Sequence, residues 1–243
     1  MRAVFFSDVH LVPEDQEKTR LLQKFLEDYG DVGVIVILGD LFEFYHGYDG
    51  YIYPWYESVA DTLKKLTENG SKVYFLEGNH EFGLGAFFTR HTGVVSGREI
   101  VIHLDGKKVF LSHGEASGLF CLGSVLKNRF IYGIMDMLGP VATWKCAEKA
   151  GTLLSRKMKP YDNRIKMIFK ENGRRKLKEG YDVVIFAHSH MVDKVEFVEE
   201  GKKKIYLNTG DFGRSFDYVL YDSNSGFSLE TYSPVLHTAR AGD

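Results

Sequence analysis

The 243-residue chain predicts an α/β fold, a largely parallel sheet covered by helices that opens with a βαβαβ unit and carries a helical insert. Three observations predict it. Short runs rich in Val, Ile and Phe end in Gly, Asp, Asn or His, the pattern of strands buried on both faces. Segments with helical spacing separate the first three runs. From 119 to 179, apolar residues recur at helical spacing with almost no β-type alternation.

The elements follow in order. A strand is predicted over Ala3 to Ser7, a helix over Gln16 to Tyr29, a strand over Val32 to Leu38, a helix over Trp55 to Asn69 and a strand over Lys72 to Leu76. Asn69-Gly70 stops the second helix. Crossover helices return the chain to the same sheet end, so chemistry is expected at the carboxyl ends of the strands. Beyond Gly97 the pattern turns to hairpins, with Ile100 to Leu104 and Lys108 to Ser112 flanking the turn signal Asp105-Gly106. Leu119, Leu122, Leu126, Phe130, Ile134 and Leu138 mark the inserted helices. Strands resume at Asp182 to Ala187, Lys194 to Val198, Lys204 to Leu207, Tyr218 to Tyr221 and Phe227 to Tyr232, and the tail Thr238 to Asp243 reads as frayed. The division is a core of 1–118 and 180–243 around a cap of 119–179.

Composition excludes several classes. With 44% hydrophobic and 26% charged residues and 5 Pro, the chain is neither disordered nor collagenous, and it holds no internal repeat. Cys121 and Cys146 lack CxxC spacing, which argues against a disulfide scaffold or a thiolate zinc site and suits a reduced, cytoplasmic setting. The N-terminus enters a strand, with no signal-peptide pattern. The weakly charged stretch 130–144 contains Asp136 and Pro140 and falls short of the about 20 apolar residues of a membrane span. Net charge is −2 but uneven: 119–180 holds 14 Lys or Arg against 5 Asp or Glu, and the remainder 17 against 28. A basic segment of this kind suits phosphate or an anionic surface, against the plainer reading of a solvated helix face.

Five strand ends each deliver Asp, Asn or His. They are Asp8 and His10 in SDVHL, Asp40 in GDLFE, Asn79 and His80 in GNHE, His113 in SHGE, and His188 and His190 in AHSH. Any one alone is a common turn motif. If the strands are sheet neighbours, their ends crowd two Asp, one Asn and, His80 aside, four His onto one edge, at a desolvation cost of several kcal/mol each unless a cation relieves it. Oxygen and imidazole donors without thiolate suit manganese, iron, zinc or magnesium. Seven donors exceed the needs of one ion, and a carboxylate such as Asp40 can bridge two ions ~3.5–4 Å apart.

In this order, SDVHL, GDLFE, GNHE, SHGE and AHSH resemble the calcineurin-like binuclear metallophosphoesterases, over nearly the whole chain from Asp8 to His190. The resemblance implies an αββα sandwich of mixed sheets. It also implies one metal on Asp8, His10, Asp40 and His190 and a second on Asp40, Asn79, His113 and His188, most often manganese. Within that superfamily, the SDVHL start, the GDLFEFY extension and the roughly sixty-residue insert look like the UDP-2,3-diacylglucosamine pyrophosphatases, which make the lipid A intermediate lipid X and UMP. There the insert is a lid that holds acyl chains and meets phosphate.

What this implies here is a hydrolase of UDP-linked diacylated glucosamine, at the cytoplasmic face of the inner membrane, bound peripherally through the insert. Arg156, Lys157, Lys159 and Arg164 would meet phosphate, and the cluster Leu119, Phe120, Leu122, Phe130, Ile131, Ile134, Met135, Leu138 and Trp144 would hold acyl chains or form ordinary core. Glu43, Glu81 and Asp211 are expected behind the ligands, with Arg214 beside Asp211. One departure matters: His80 stands where the best-known members carry Arg. A histidine can act as general acid toward an alkoxide or bind phosphate, so ester substrates stay open. With Asn79 it is the catalytic candidate. His46, His91, His103 and His237 lie outside the motifs and are not expected on metal. The alternative is a soluble phosphodiesterase or phosphatase acting on a nucleotide or other small ester. A nuclease is disfavoured for want of a stacking platform, and a metal-free scaffold because every expected ligand is present.

Overall fold

The computed structural model describes residues 1–114, 127–155, 163–199 and 201–233. Two sheets face each other. The first takes β1 (Arg2–Phe6), β2 (Val34–Ile37), β3 (Lys72–Leu76), β4 (Val95–Gly97), β10 (Asp217–Asp222) and β11 (Gly226–Thr231) in the order β11-β10-β1-β2-β3-β4. Strands β1 to β4 are mutually parallel, and β10 pairs antiparallel with β1 and β11. The second takes β5 (Glu99–Leu104), β6 (Lys107–Ser112), β7 (Val183–Phe186), β8 (Asp193–Glu199) and β9 (Lys202–Asn208) in the order β5-β6-β7-β9-β8. There β6, β7 and β9 are parallel, and β5 and β8 run antiparallel at the edges.

Successive side chains of a strand point to opposite faces, and here both faces are dry. Phe5, Val36, Leu38 and Leu76 meet Leu104, Leu111, Ile185 and Leu207 between the sheets. Val4, Phe6, Ile35 and Phe75 point outward under the helices α1 (Gln16–Asp28), α2 (Glu57–Glu68) and α3 (Gly85–Thr92), where Leu22, Phe25, Val59, Leu63 and Phe88 pack on them. Burial on both sides explains why these strands read as continuous apolar runs.

The second sheet is covered by α5 (Asn163–Lys178), whose Phe169 and Leu177 pack on Phe110, Val184 and Phe186. This helix lies within the predicted insert, and it completes the αββα layering. Before it runs α4 (Arg129–Ser155), broken at Gly139-Pro140, where Gly139 adopts φ 74 and ψ 170. Proline lacks the N–H and clashes with the preceding turn, so the break falls there. A short α6 (Phe212–Ser215) follows β9.

The hairpin turn forms as read. Leu104 pairs with Lys107, leaving Asp105 (φ 47) and Gly106 (φ 80) as a two-residue loop in the left-handed region that this turn requires. Helix α3 and strand β4 were not foreseen: GAFFTRHT is only eight residues and β4 only three, too short for periodicity to show. Residues 115–126 and 156–162 lie outside the described residues, as do Leu119, Phe120 and Leu122 of the apolar cluster and the tail.

Candidate metal centre

The sandwich brings the strand ends together because β1, β2 and β3 are parallel neighbours in one sheet and β6, β7 and β9 in the other. Their carboxyl ends open on the same edge. Backbone pairing then locks the loops: Val9 and His10 donate to the Asp40 carbonyl at 2.9 and 3.0 Å, and Asp8 donates to the Gly39 carbonyl at 3.1 Å. Gly213 of α6 closes from the other side, donating to the Asp8 carbonyl at 3.0 Å.

Of seven non-glycine residues with positive φ among those described, five are Asp8 (55), His10 (51), Asp40 (52), His188 (64) and His190 (54). A left-handed residue costs roughly 1–2 kcal/mol, and such strain persists only where the surroundings enforce it. At Gly78 a Cβ would stand 2.2 Å from Asp40 Oδ1, so only glycine lets the GNHE loop approach the carboxylate.

Two sets of donor atoms result. In the first, His190 Nε2 lies 3.3 Å from Asp8 Oδ1, and His10 Nε2 lies 4.0 Å from Asp8 Oδ1 and 3.9 Å from Asp40 Oδ2. In the second, His113 Nε2 lies 3.2 Å from Asp40 Oδ2 and 3.1 Å from both Asn79 Oδ1 and His188 Nδ1. Asp40 Oδ2 faces both sets. All seven residues singled out in the sequence are thus brought together. His80 groups with His10 and Asp40 within ligand-to-ligand reach, a metal-facing placement beyond the catalytic role expected of it.

The tautomers decide what these atoms can bind. His113 Nδ1 donates to the Leu38 carbonyl at 2.7 Å and His190 Nδ1 to Asp211 Oδ2 at 2.7 Å. A neutral imidazole donating from Nδ1 turns a lone pair outward at Nε2. In the second set that lone pair meets a carboxylate oxygen and an amide oxygen, both acceptors, beside the Nδ1 of His188. In the first, Asp8 Oδ1 is fully buried with no hydrogen bond from any of the described residues. Converging acceptors in a dry site repel unless a cation lies among them, so the residues fit a pair of metal ions.

Residues behind the ligands hold them in place. Asp211 orients His190 and also caps α6, its Oδ1 accepting from Arg214 N at 3.0 Å. Glu43 Oε2 lies 3.3 Å from His10 Nδ1. Glu81, fully buried, accepts from the backbone N–H of Asp40 (2.9 Å), Phe42 (3.2 Å) and Gly78 (2.8 Å), tying the GDLFE loop to the GNHE loop. His80 donates its backbone N–H to Asp40 Oδ1 at 2.9 Å and its Nδ1 to the Glu43 carbonyl at 2.6 Å.

Charge follows geometry. Burial alone would lower His10, but the hydrogen bond to Glu43 and the charges of Asp40, Asp8 and Glu43 raise it to about 9. Burial would raise Asp40, and the charges of His113 and His80 hold it well below the usual carboxylate range. Glu81 is pushed up to about 7 by burial and then by Asp40. Burial and the neighbouring His113 push His188 down to about 3. Burial works against Glu43 and Asp211, yet the hydrogen bonds from His10 and His190 respectively carry both below their usual range. Without cations the carboxylates thus keep a proton on His10, where a metal would otherwise supply the positive charge.

Other candidates fall elsewhere. His46 turns away from the centre, bonding the Phe82 carbonyl and Asp136, and His91 meets Asp61 at 3.6 Å. Arg164 sits exposed on α5, and Arg156, Lys157, Lys159 and His237 lie outside the described residues. The apolar cluster divides. Trp144 packs on Phe44, Tyr53, Trp55 and Tyr56 with ring centroids 4.5–6.1 Å apart, whereas Phe130 is 76% exposed and Leu138 46%. Lys127 escaped the reading altogether: its Nζ donates to the Gly78 carbonyl, beside Asn79. A single lysine ahead of an asparagine helix cap carries no periodic signal.

Comparison with known proteins gives the following. The calcineurin-like phosphoesterase family profile matches residues 1–192. A UDP-2,3-diacylglucosamine hydrolase of Stenotrophomonas maltophilia is 28% identical over 251 residues, covering 96% of this chain and 99% of that protein. One from Aeromonas salmonicida is 38% identical over 117 residues, 47% of this chain and 46% of that protein. One from Aliivibrio fischeri is 28% identical over 230 residues, 87% of this chain and 91% of that protein.

Proposed function

Because the chain belongs to the calcineurin-like phosphoesterases, and is a metal-dependent hydrolase of phosphorus–oxygen bonds, we propose that it cleaves the pyrophosphate of UDP-2,3-diacylglucosamine to 2,3-diacylglucosamine 1-phosphate and UMP. The observation that carries the chemistry is the pair of donor sets sharing Asp40 Oδ2. Relatives of that name, aligned over nearly the whole chain, support the substrate.

In this reading Asp8, His10, Asp40 and His190 hold one divalent ion and Asp40, Asn79, His113 and His188 the other, with manganese the ion proposed. When bound, the ions supply Lewis acidity toward the phosphoryl group and an activated water. The chain does the rest. Asn79 commits its amide oxygen to the ligand set, which leaves its amide N–H groups to donate to a phosphoryl oxygen. His80, with Nδ1 committed to the Glu43 carbonyl, can hold or pass a proton only at Nε2, and there it serves the oxygen that departs. Glu81 fixes both loops by accepting three backbone donors, Asp211 keeps His190 in the tautomer that presents Nε2, and the Glu43 carboxylate lies beside His10 Nδ1.

The insert supplies the lipid side of the proposal: 119–179 is proposed as the cap, of which α5 also covers the second sheet, and Arg156, Lys157, Lys159 and Arg164 are proposed to meet phosphate. On the half of α4 before the Gly139-Pro140 break, Phe130 (76% exposed), Ile134, Met137 (82%) and Leu138 recur at i, i+4, i+7 and i+8, one stripe of helical spacing turned to solvent. Such a stripe suits acyl chains or the boundary of a bilayer. No helix among the described residues is long and apolar enough to cross a membrane, so the proposed attachment is peripheral, at the cytoplasmic face of the inner membrane.

The test is to give manganese-loaded protein UDP-2,3-diacylglucosamine and a generic aryl phosphodiester. The lipid should win in kcat/KM by orders of magnitude. Comparable values would favour the second reading, a soluble phosphodiesterase or phosphatase, for which His80 in place of arginine is the specific observation.

A further inference from the structure

Lys127 stands at the start of the described part of the insert, and its ammonium is bound to the carbonyl of Gly78. Gly78 precedes Asn79, its own N–H is held by Glu81, and it lies against the Asp40 carboxylate. The ammonium therefore borders the ligand set of Asp40, Asn79, His113 and His188. Asn128, the next residue, accepts from the N–H groups of Phe130 and Ile131 at 3.0 Å each, capping α4 and fixing the backbone from which Lys127 projects. Across the centre, the other ligand set has its own cation: Arg214 lies 3.8 Å from Asp211 Oδ2, behind His190, with its side chain 84% exposed.

A diphosphate ester brings two phosphoryl groups. The attacked one must lie between the ligand sets, and the second then projects to one flank with its charge unmatched by the proteins' carboxylates and imidazoles. A lysine ammonium forms a stronger, charge-assisted bond to a phosphate oxygen than to a peptide carbonyl. We propose that Lys127 exchanges the Gly78 carbonyl for an oxygen of this second phosphoryl group, and so makes the site select diphosphates over esters with a single phosphorus. The inference rests on the diphosphate substrate argued above and adds the residue that recognises it. It also gives the insert a part in phosphate selection independent of its apolar stripe.

The experiment uses the full chain loaded with manganese, as wild type, Lys127→Met, Lys127→Gln and Lys127→Arg. Each is titrated calorimetrically with methylenediphosphonate, a diphosphate that cannot be hydrolysed, and with inorganic phosphate. In the Met and Gln variants the affinity for methylenediphosphonate should fall at least tenfold further than the affinity for phosphate, and Arg should restore it to within about threefold of wild type. Equal loss for both ligands, or loss for neither, overturns the inference, and equal loss with a lowered melting temperature assigns Lys127 to holding the Gly78 loop. Turnover of the lipid by wild type separates the two readings. If the lipid is ignored while methylenediphosphonate discriminates between variants, Lys127 keeps its role and the lipid assignment falls. If the lipid is cleaved while both ligands bind every variant alike, only the role of Lys127 falls.

Discussion

His46 Nε2 lies 2.8 Å from Asp136 Oδ1, joining the loop after β2 to the first half of α4. The imidazole is 5% exposed, and its Nδ1 meets the Phe82 carbonyl at 3.0 Å. Nearby, Tyr48 donates its hydroxyl to the Met135 carbonyl at 3.0 Å and lies 2.8 Å from Thr143 Oγ1. The only histidine of the GDLFEFYHGY stretch therefore pins the insert instead of binding metal. His46→Ala should cost about 1–3 kcal/mol through the partners left behind and speed proteolytic cleavage within α4. Metal content, measured by elemental analysis, should stay at the wild-type value.

Asp40 is where the two sets of donor atoms meet. Asp40→Ala should reduce bound metal from two equivalents to one or fewer and lower turnover by more than the ~10–100-fold expected of a residue behind the ligands. Two equivalents with wild-type turnover would sink the bridged centre.

Asp211 acts one step back, on His190 Nδ1. Asp211→Asn removes the acceptor that fixes the tautomer, so metal affinity or activity should fall ~10–100-fold. The effect should appear as raised metal demand, restored in part by excess manganese.

Metal uptake should release protons. His10 is raised to about 9 and Glu81 is also raised in the cation-free protein. A cation on Asp40 removes the repulsion that raises Glu81 and competes directly for His10. The sign follows: below about 9 a proton must leave His10 before it can ligate, so affinity should climb as pH rises toward 9. Calorimetry in buffers of different ionisation enthalpy counts the protons, and a pH-independent affinity between 6 and 9 would contradict it.

Much of this was legible in the chain. The buried strands announced themselves because both their faces are dry, and Asp105-Gly106 marked its hairpin because few residues accept positive φ. Asp8, His10, Asp40, Asn79, His113, His188 and His190 were legible because side chains at strand ends have no packing reason to be ionisable. Less visible were α3 and β4, too short for periodicity, and the fate of the helical insert, whose apolar spacing looks the same for a buried face as for an exposed one. Only packing separated Phe169, under the second sheet, from Phe130, turned to solvent.

What the sequence determined by itself is which residues could bind cations and that strands would carry them to a common edge, since β periodicity and turn chemistry are local. What tertiary structure alone decided is the orientation of those atoms. His113 presents Nε2 because Leu38 of a different sheet takes its Nδ1 proton, and Asp40 is shared because Gly78 lets a second loop come within contact. Partners such as Asp211 for His190 and Lys127 for Gly78 are separated along the chain by 21 and 49 positions. Hydrogen-bond direction depends on three-dimensional neighbours, and no spacing within one strand or helix encodes it.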